Sequence, residues 1–288
     1  MTTSWQERMA QSPAHVSQDR AKSWADSAIE ACARIGYTAK GVVFGTVGVL
    51  ATMTALGFAD GKIVGTEGAI QTLGDNEFGR FVLLGIAIGL IAFVVWRVVQ
   101  SLLDPEHKGT DVKGIAMRIG FLISGALYGS LAYFTLRHLQ GLEQASDNGA
   151  QQATQTVFSY EWGAWAVAAV GIGLIGVGLY QFYRAYSAKF LRKWRRAEMS
   201  TDEERWARRL SRIGIAARAV SFLLIGWFLI EAAITANPQQ AKGLQGALST
   251  FLGESWGEFW LGAIGVGFAC YGVYCFVNAR YRQIPAPT

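Results

Sequence analysis

Along the chain, long apolar stretches alternate with short polar ones, and the alternation occurs six times. Runs of roughly 20 residues with little or no charge lie near Gly36 to Phe58, Phe81 to Trp96, Ile119 to Leu136, Trp162 to Tyr183, Ala219 to Ile230 and Phe259 to Val277. At about 1.5 Å of helical rise per residue, such runs cross a hydrocarbon core of about 30 Å. They are apolar all round and lack the polar stripe of a surface helix, so six transmembrane helices are predicted and a soluble bundle is disfavoured.

The runs fall into pairs, and the pairs repeat. Ala33-Arg34-Ile35-Gly36 aligns with Met117-Arg118-Ile119-Gly120 at an offset of 84 and with Ser211-Arg212-Ile213-Gly214 at a further 94. The register then holds without a gap, through Thr72, Thr156 and Thr250, the pairs Phe78-Gly79, Trp162-Gly163 and Trp256-Gly257, the glycines 89, 173 and 267, and Trp96, Tyr180 and Tyr274. A period that survives so long marks one structural module used three times. Each unit reads as a helix, a polar loop, a short amphipathic segment (67–73, 151–157, 245–251) packed on the bundle, and a second helix entered through an aromatic anchor at the headgroup level. The expected organisation is a surface helix in 1–32, repeats at 33–104, 117–187 and 211–283, a polybasic loop with a short helix at 188–210, and a tail at 284–288. The fold class is an all-α integral membrane protein, with three parallel two-helix repeats around a pseudo-threefold axis.

Composition agrees, with 51% hydrophobic and 16% charged residues, and the net charge of +5 gains meaning from its placement. Basic residues crowd the N-terminal segment, the inter-repeat connections and Arg280 with Arg282, whereas the other loops hold only Lys62, Arg80, Arg137 and Lys242. Those loops carry acids such as Asp60, Asp75, Glu77, Glu143, Asp147 and Glu254. The positive-inside rule therefore puts both termini and the inter-repeat loops in the cytoplasm. No removable signal peptide is expected, so the first helix serves as its own insertion signal. Cys32, Cys270 and Cys275 form neither a disulfide framework nor a metal spacing.

Candidate chemistry is sparse. Gly171-x-Gly173-x-x-Gly176 matches a dinucleotide pattern but lies inside an apolar span, where small residues serve helix packing instead. The histidines 15, 107 and 138 lie in or beside loops, and no nucleophile, base or metal set is visible, so no enzyme activity, cofactor or nucleic-acid contact is expected. The candidate binding residues lie at the cytoplasmic helix ends. Arg34, Arg118 and Arg212 open the first helix of each unit, and Arg97, Arg184 and Asn278, with Gln100 and Gln181, close the second. Around a threefold axis the arginines would form a basic ring able to hold a phosphate-bearing headgroup, an anionic solute or the terminal carbonyls of neighbouring helices. Lys40 and Arg218 deepen that zone in two repeats, and Ser124 interrupts it in the other. The run Lys189, Arg192, Lys193, Arg195 and Arg196, interleaved with Phe190 and Trp194, reads as a contact with anionic lipid, worth about 1 kcal/mol per basic residue near the surface. Thr201-x-x-Glu204 reads as the capping box that starts a helix.

The Arg-x-Gly helix start, the short outer segment, the aromatic-Gly pair and the Gly-rich second helix, three times over, resemble the bacterial membrane proteins grouped as domain of unknown function 1206. The resemblance covers about residues 33 to 283; it implies three two-helix units in a bacterial cytoplasmic membrane and no assigned activity. The reading is a non-enzymatic membrane component that binds anionic lipid or a partner protein at its basic cytoplasmic face, with self-association through Gly-rich faces as one form of partnership. The alternative is an anion or small-solute channel or transporter with its path along the axis.

Overall fold

Among the described residues, six helices are long and apolar enough to cross a membrane. The computed structural model describes residues 13–58, 65–74, 78–107, 109–142, 149–252 and 256–284, with 13–25 described by backbone alone. The expectations for residues 1–12 and for Asp60, Lys62, Asp75, Glu77, Glu143, Asp147, Glu254 and 285–288 lie outside the described residues. In chain order the helices are α1 (Pro13–Ala55), α2 (Thr66–Gly74), α3 (Gly79–Leu102), α4 (Val112–Leu139), α5 (Gly149–Phe158), α6 (Gly163–Ser187), α7 (Thr201–Ile234), α8 (Leu244–Ser249) and α9 (Gly257–Tyr281). Short 3-10 turns at Lys189–Lys193, Arg196–Glu198 and Pro238–Gln240 complete the set, and no strand forms among the described residues.

Two boundaries differ from the sequence reading. The N-terminal helix is continuous with the first span, because Pro13 occupies a first-turn position and no proline interrupts the segment that follows. The helix after the polybasic loop likewise continues into the fifth span, and its cap is Ser200 with Glu203, one residue before the expected pair. Ser200 has the extended backbone of a cap; its Oγ accepts from the Glu203 amide while a Glu203 carboxylate oxygen accepts from the Ser200 amide.

The short helices α2, α5 and α8 coincide with the three amphipathic segments. Ala69 with Ile70 and Ala247 with Leu248 are buried against the bundle, while α5 buries only Thr154. The glycine of each aromatic-Gly pair makes the turn from short helix to span. A Cβ at Gly79, Gly163 or Gly257 would lie 2.2, 2.1 or 1.7 Å from the carbonyl oxygen of Gly74, Val157 or Phe251. Phe78, Trp162 and Trp256 beside them are exposed, as interfacial anchors are.

The spanning helices pack in the order α4, α3, α1, α9, α7, α6. Every neighbour contact that a threefold ring of six helices requires is formed except one, that between α4 and α6, the two spans of the second repeat. In the first repeat Gly36 lies against Phe93 and Gly89 against Ala39; in the third, the equivalent Gly214 lies against Tyr271 and Gly267 against Ala217. The second repeat keeps both glycines, yet a Cβ at Gly120 or Gly173 would meet nothing within 4 Å. The face of α6 is bare as a result: Trp96 is fully buried and Tyr274 6% exposed, whereas the equivalent Tyr180 is 57% exposed. A physical reason lies across the seam. The alanine that meets the glycine in the closed repeats, Ala39 or Ala217, is Ile123 in the second, and its branched side chain denies the close approach.

The open seam makes equivalent glycines behave differently. Gly267→Ala, whose Cβ would lie 2.2 Å from that of Ala217, is expected to lower stability by about 1–3 kcal/mol. Gly173→Ala is expected to leave stability unchanged or raise it by up to about 1 kcal/mol through helix propensity. Thermal melting of both variants in the same detergent checks the contrast; equal losses would mean that the seam is packed.

Candidate functional site

A helix that ends in an apolar medium leaves its last carbonyls without donors. In this chain the three repeat-equivalent arginines supply them. Arg34 donates through Nη1 to the carbonyls of Ala279 and Arg280, each at 2.6 Å. Arg118 donates to Ser101 at 2.6 Å and Leu102 at 3.0 Å, and Arg212 to Ala185 at 2.9 Å and Tyr186 at 3.4 Å. The acceptors are equivalent positions too, so each repeat is fastened to the one before it and the first to the third. Of the three roles considered for the expected ring, the geometry is that of helix-end staples. Glu30 also holds Arg34 at 2.5 Å.

The polybasic loop does not lie open either. Phe190 and Trp194 are buried and pack edge-on to each other with centroids 5.3 Å apart, and Phe190 meets the Tyr274 ring at 5.8 Å. The chain after α9 runs antiparallel to this loop: the Arg195 amide donates to Tyr281 and the Gln283 amide to Lys193, each at 2.8 Å. Between them sits Glu106, from the α3–α4 connection, with a side chain 7% exposed. It accepts from Lys193 and Arg282 at 2.6 Å each, and from Gln100 at 3.2 Å. Burial opposes the charge on Arg282, but Tyr37 and the Glu106 carboxylate outweigh it and raise its pKa. Asn278 accepts from the Trp194 indole at 3.4 Å and donates to the Tyr274 carbonyl. Arg195 pairs with Glu30 and Glu198, and Arg196 with Glu204. Lys189 meets the Tyr183 hydroxyl, and Arg192, exposed, borders a surface hollow with His107 and Gln283.

Beneath this closure lies a second, deeper group of cations. Lys40 is 2% exposed, about 9 Å along α1 from Arg34. Its Nζ lies 4.4 Å from the Phe93 ring centroid and 4.5 Å from that of Tyr128, with Tyr37 at 6.0 Å. Arg218 donates to the Tyr271 hydroxyl and, at 3.4 Å, to that of Tyr128, while its guanidinium stacks over Phe44, Phe222 and Tyr271. Arg97 lies over Phe93 and Phe121 and donates to Gln100; its Nε is buried without a partner. Arg184 donates to Gln181 at 2.9 Å and to the Tyr274 hydroxyl at 3.0 Å. Among the described residues no ion pair joins Lys40, Arg97, Arg184 or Arg218 to a carboxylate.

Of the residues singled out in the sequence, Arg97, Arg184 and Asn278 lie towards the C-terminal ends of α3, α6 and α9, and Lys40 with Arg218 lie further along α1 and α7. Sequence reasoning missed the hub Glu106 and the tyrosines 128, 271 and 274. A signal for the tyrosines was present: at equivalent positions 44, 128 and 222, and again at 96, 180 and 274, every repeat keeps an aromatic within reach of the basic positions.

Removing the hub strands a buried charge. Glu106→Gln is expected to destabilise the chain by about 3–5 kcal/mol and to expose the 189–196 loop, read as faster cleavage by trypsin at Arg192 and Lys193. Cleavage no faster than in the parent chain would show that the aromatic contacts alone hold the loop.

The same three repeats emerge from comparison with known proteins. The model of the Domain of Unknown Function (DUF1206) matches the chain three times in tandem, at residues 35–104, 119–188 and 213–282. The chain is also similar to an uncharacterised protein, YxxB, of Bacillus subtilis (strain 168), with 34% identity over 253 residues, covering 87% of this chain and 90% of that protein. No solved structure matches significantly. The six spans, the three repeats and the tandem matches make this a multi-pass membrane protein that belongs to the DUF1206 family.

Proposed function

We propose that this protein is a non-enzymatic membrane component that binds an anion inside its helix bundle. The observation that carries the reading is Lys40, buried among aromatic rings beside Arg218 and Arg97, with no carboxylate paired to any of them. A cation within a membrane span costs about 2.5–3.5 kcal/mol on insertion scales, and each ring returns up to about 2 kcal/mol when desolvated. Rings hold a cation without cancelling its charge, so the guanidiniums of Arg218 and Arg97 keep a positive field for a diffusible anion. The basic cytoplasmic face adds a weaker contact with anionic headgroups or a partner protein, through the exposed Lys189 and Arg192. In this reading the closure around Glu106 is the cytoplasmic lid of the site.

A second reading, permeation of the same anion, is favoured by the makeup of that lid. It rests on polar contacts converging on one acid, which a modest rearrangement can release.

Lys40→Met separates binding from architecture. Replacing a buried charge with an apolar side chain of similar length is expected to raise the stability of the ligand-free protein by about 1–4 kcal/mol while abolishing anion retention. Melting curves with and without added phosphate, together with native mass spectrometry of Lys40→Met and Arg218→Gln, check both. Lower stability with unchanged phosphate binding would leave Lys40 a structural residue and end the anion reading.

A further inference from the structure

The unpacked seam between α4 and α6 opens the bundle sideways, in the one repeat whose first helix carries Ser124 instead of a cation. Its walls are apolar and bare: Ile123 and Leu127 on α4, and Val170, Val177 and Tyr180 on α6, are all exposed. The glycines 120 and 173 leave the space between them unfilled. Behind the walls the hydrogen bond from Arg218 to the Tyr128 hydroxyl links α7 to α4, and Lys40 lies over the Tyr128 ring. An apolar slot facing lipid thus leads to cations that no carboxylate neutralises.

We propose that this seam is a lateral binding slot for an anionic membrane lipid, with its acyl chains between α4 and α6 and its phosphate on Arg218 and Lys40. The inference rests on the anion reading and names the class of anion. Charge selects the occupant, since an uncharged lipid or the apolar face of a second copy would fill the walls but leave the cations unanswered. Fit supports it as well: the closed seams of the first and third repeats bring glycine onto alanine, whereas at Gly120 and Gly173 the second seam leaves a space that side chains of this protein do not fill.

The test uses the full chain in neutral detergent, titrated with dioleoyl phosphatidylglycerol, dioleoyl phosphatidylcholine or inorganic phosphate and read by native mass spectrometry. One phosphatidylglycerol per chain is expected, with phosphatidylcholine at least tenfold weaker. Arg218→Gln is expected to weaken phosphatidylglycerol at least tenfold, and so is Gly173→Phe, whose ring would enter the unfilled space. Equal binding of the two lipids, or phosphatidylglycerol binding indifferent to Gly173→Phe, overturns the slot. If phosphate still binds through Arg218 in that case, the anion reading stands alone; if neither anion binds, both fall. A second measurement does not depend on the folding of Gly173→Phe. Gly120→Cys with Val177→Cys replaces the pair equivalent to Gly36 with Phe93, and in membranes the two are expected to stay uncrosslinked under mild oxidant. Rapid disulfide formation would mean that the seam closes as in the other repeats, which removes the slot.

Discussion

The last carbonyls of a helix have no donors within the helix, and this constraint organises the protein. Each helix that ends at the basic face receives an arginine from the helix that opens the next repeat. Guanidinium suits the task because its donors fork, so two successive carbonyls are met by one side chain. The helix macrodipole adds to the attraction, since the carbonyl end carries partial negative charge. A lysine would offer a point charge and no fork. The same three residues thus cap three helices and join the repeats, and for that reason they contribute little to any ligand.

With those arginines engaged, the free positive charge of the interior falls to residues that are not threefold. Lys40 and Arg218 occupy equivalent positions, and the third is Ser124; Arg97 is matched by Gln181 and Cys275. The departure from symmetry in charge coincides with the departure in packing, because the repeat that lacks the inner cation is the one whose helices stay apart. A closed threefold ring would bury all of its cations symmetrically and seal them from lipid. The asymmetric arrangement leaves two cations in the closed half of the bundle, facing the open one.

Much of this was legible in the sequence, and the limits have physical causes. Apolar run length gave the spans, because the bilayer sets a minimum helix length. A register held without gaps gave the repeats, and the glycines 79, 163 and 257 marked a turn that only a missing Cβ permits. The role of Arg34, Arg118 and Arg212 was not decided, since a donor at a helix start can serve a carbonyl or a ligand equally well; distances choose between them. Glu106 escaped notice because the contacts that make it a hub come from segments 87 and 176 residues away. The open seam left a trace that was readable in principle. Gly120 and Gly173 match their counterparts, so the small-residue pattern alone predicts closure, but packing depends on both partners, and Ile123 stands where the other repeats have alanine.

The tyrosines carry the argument for an anion further than the cations do. The hydroxyls of Tyr128 and Tyr271 accept from Arg218; that of Tyr271 also bonds the Cys275 side chain, whereas that of Tyr128 still has its own proton to donate. That proton, beside the Arg218 guanidinium, adds a donor where acceptors are few, and the tyrosine rings meanwhile face the Lys40 and Arg218 side chains through their negative π surfaces. A carboxylate in the same place would have satisfied the cations permanently and left the hydroxyls nothing to donate to but the protein. Aromatic partners keep the charge in place, shield it from lipid and leave its outward field unused. On the reading proposed above, that combination is what distinguishes a site held ready for an exchangeable anion from an ion pair that merely holds helices together.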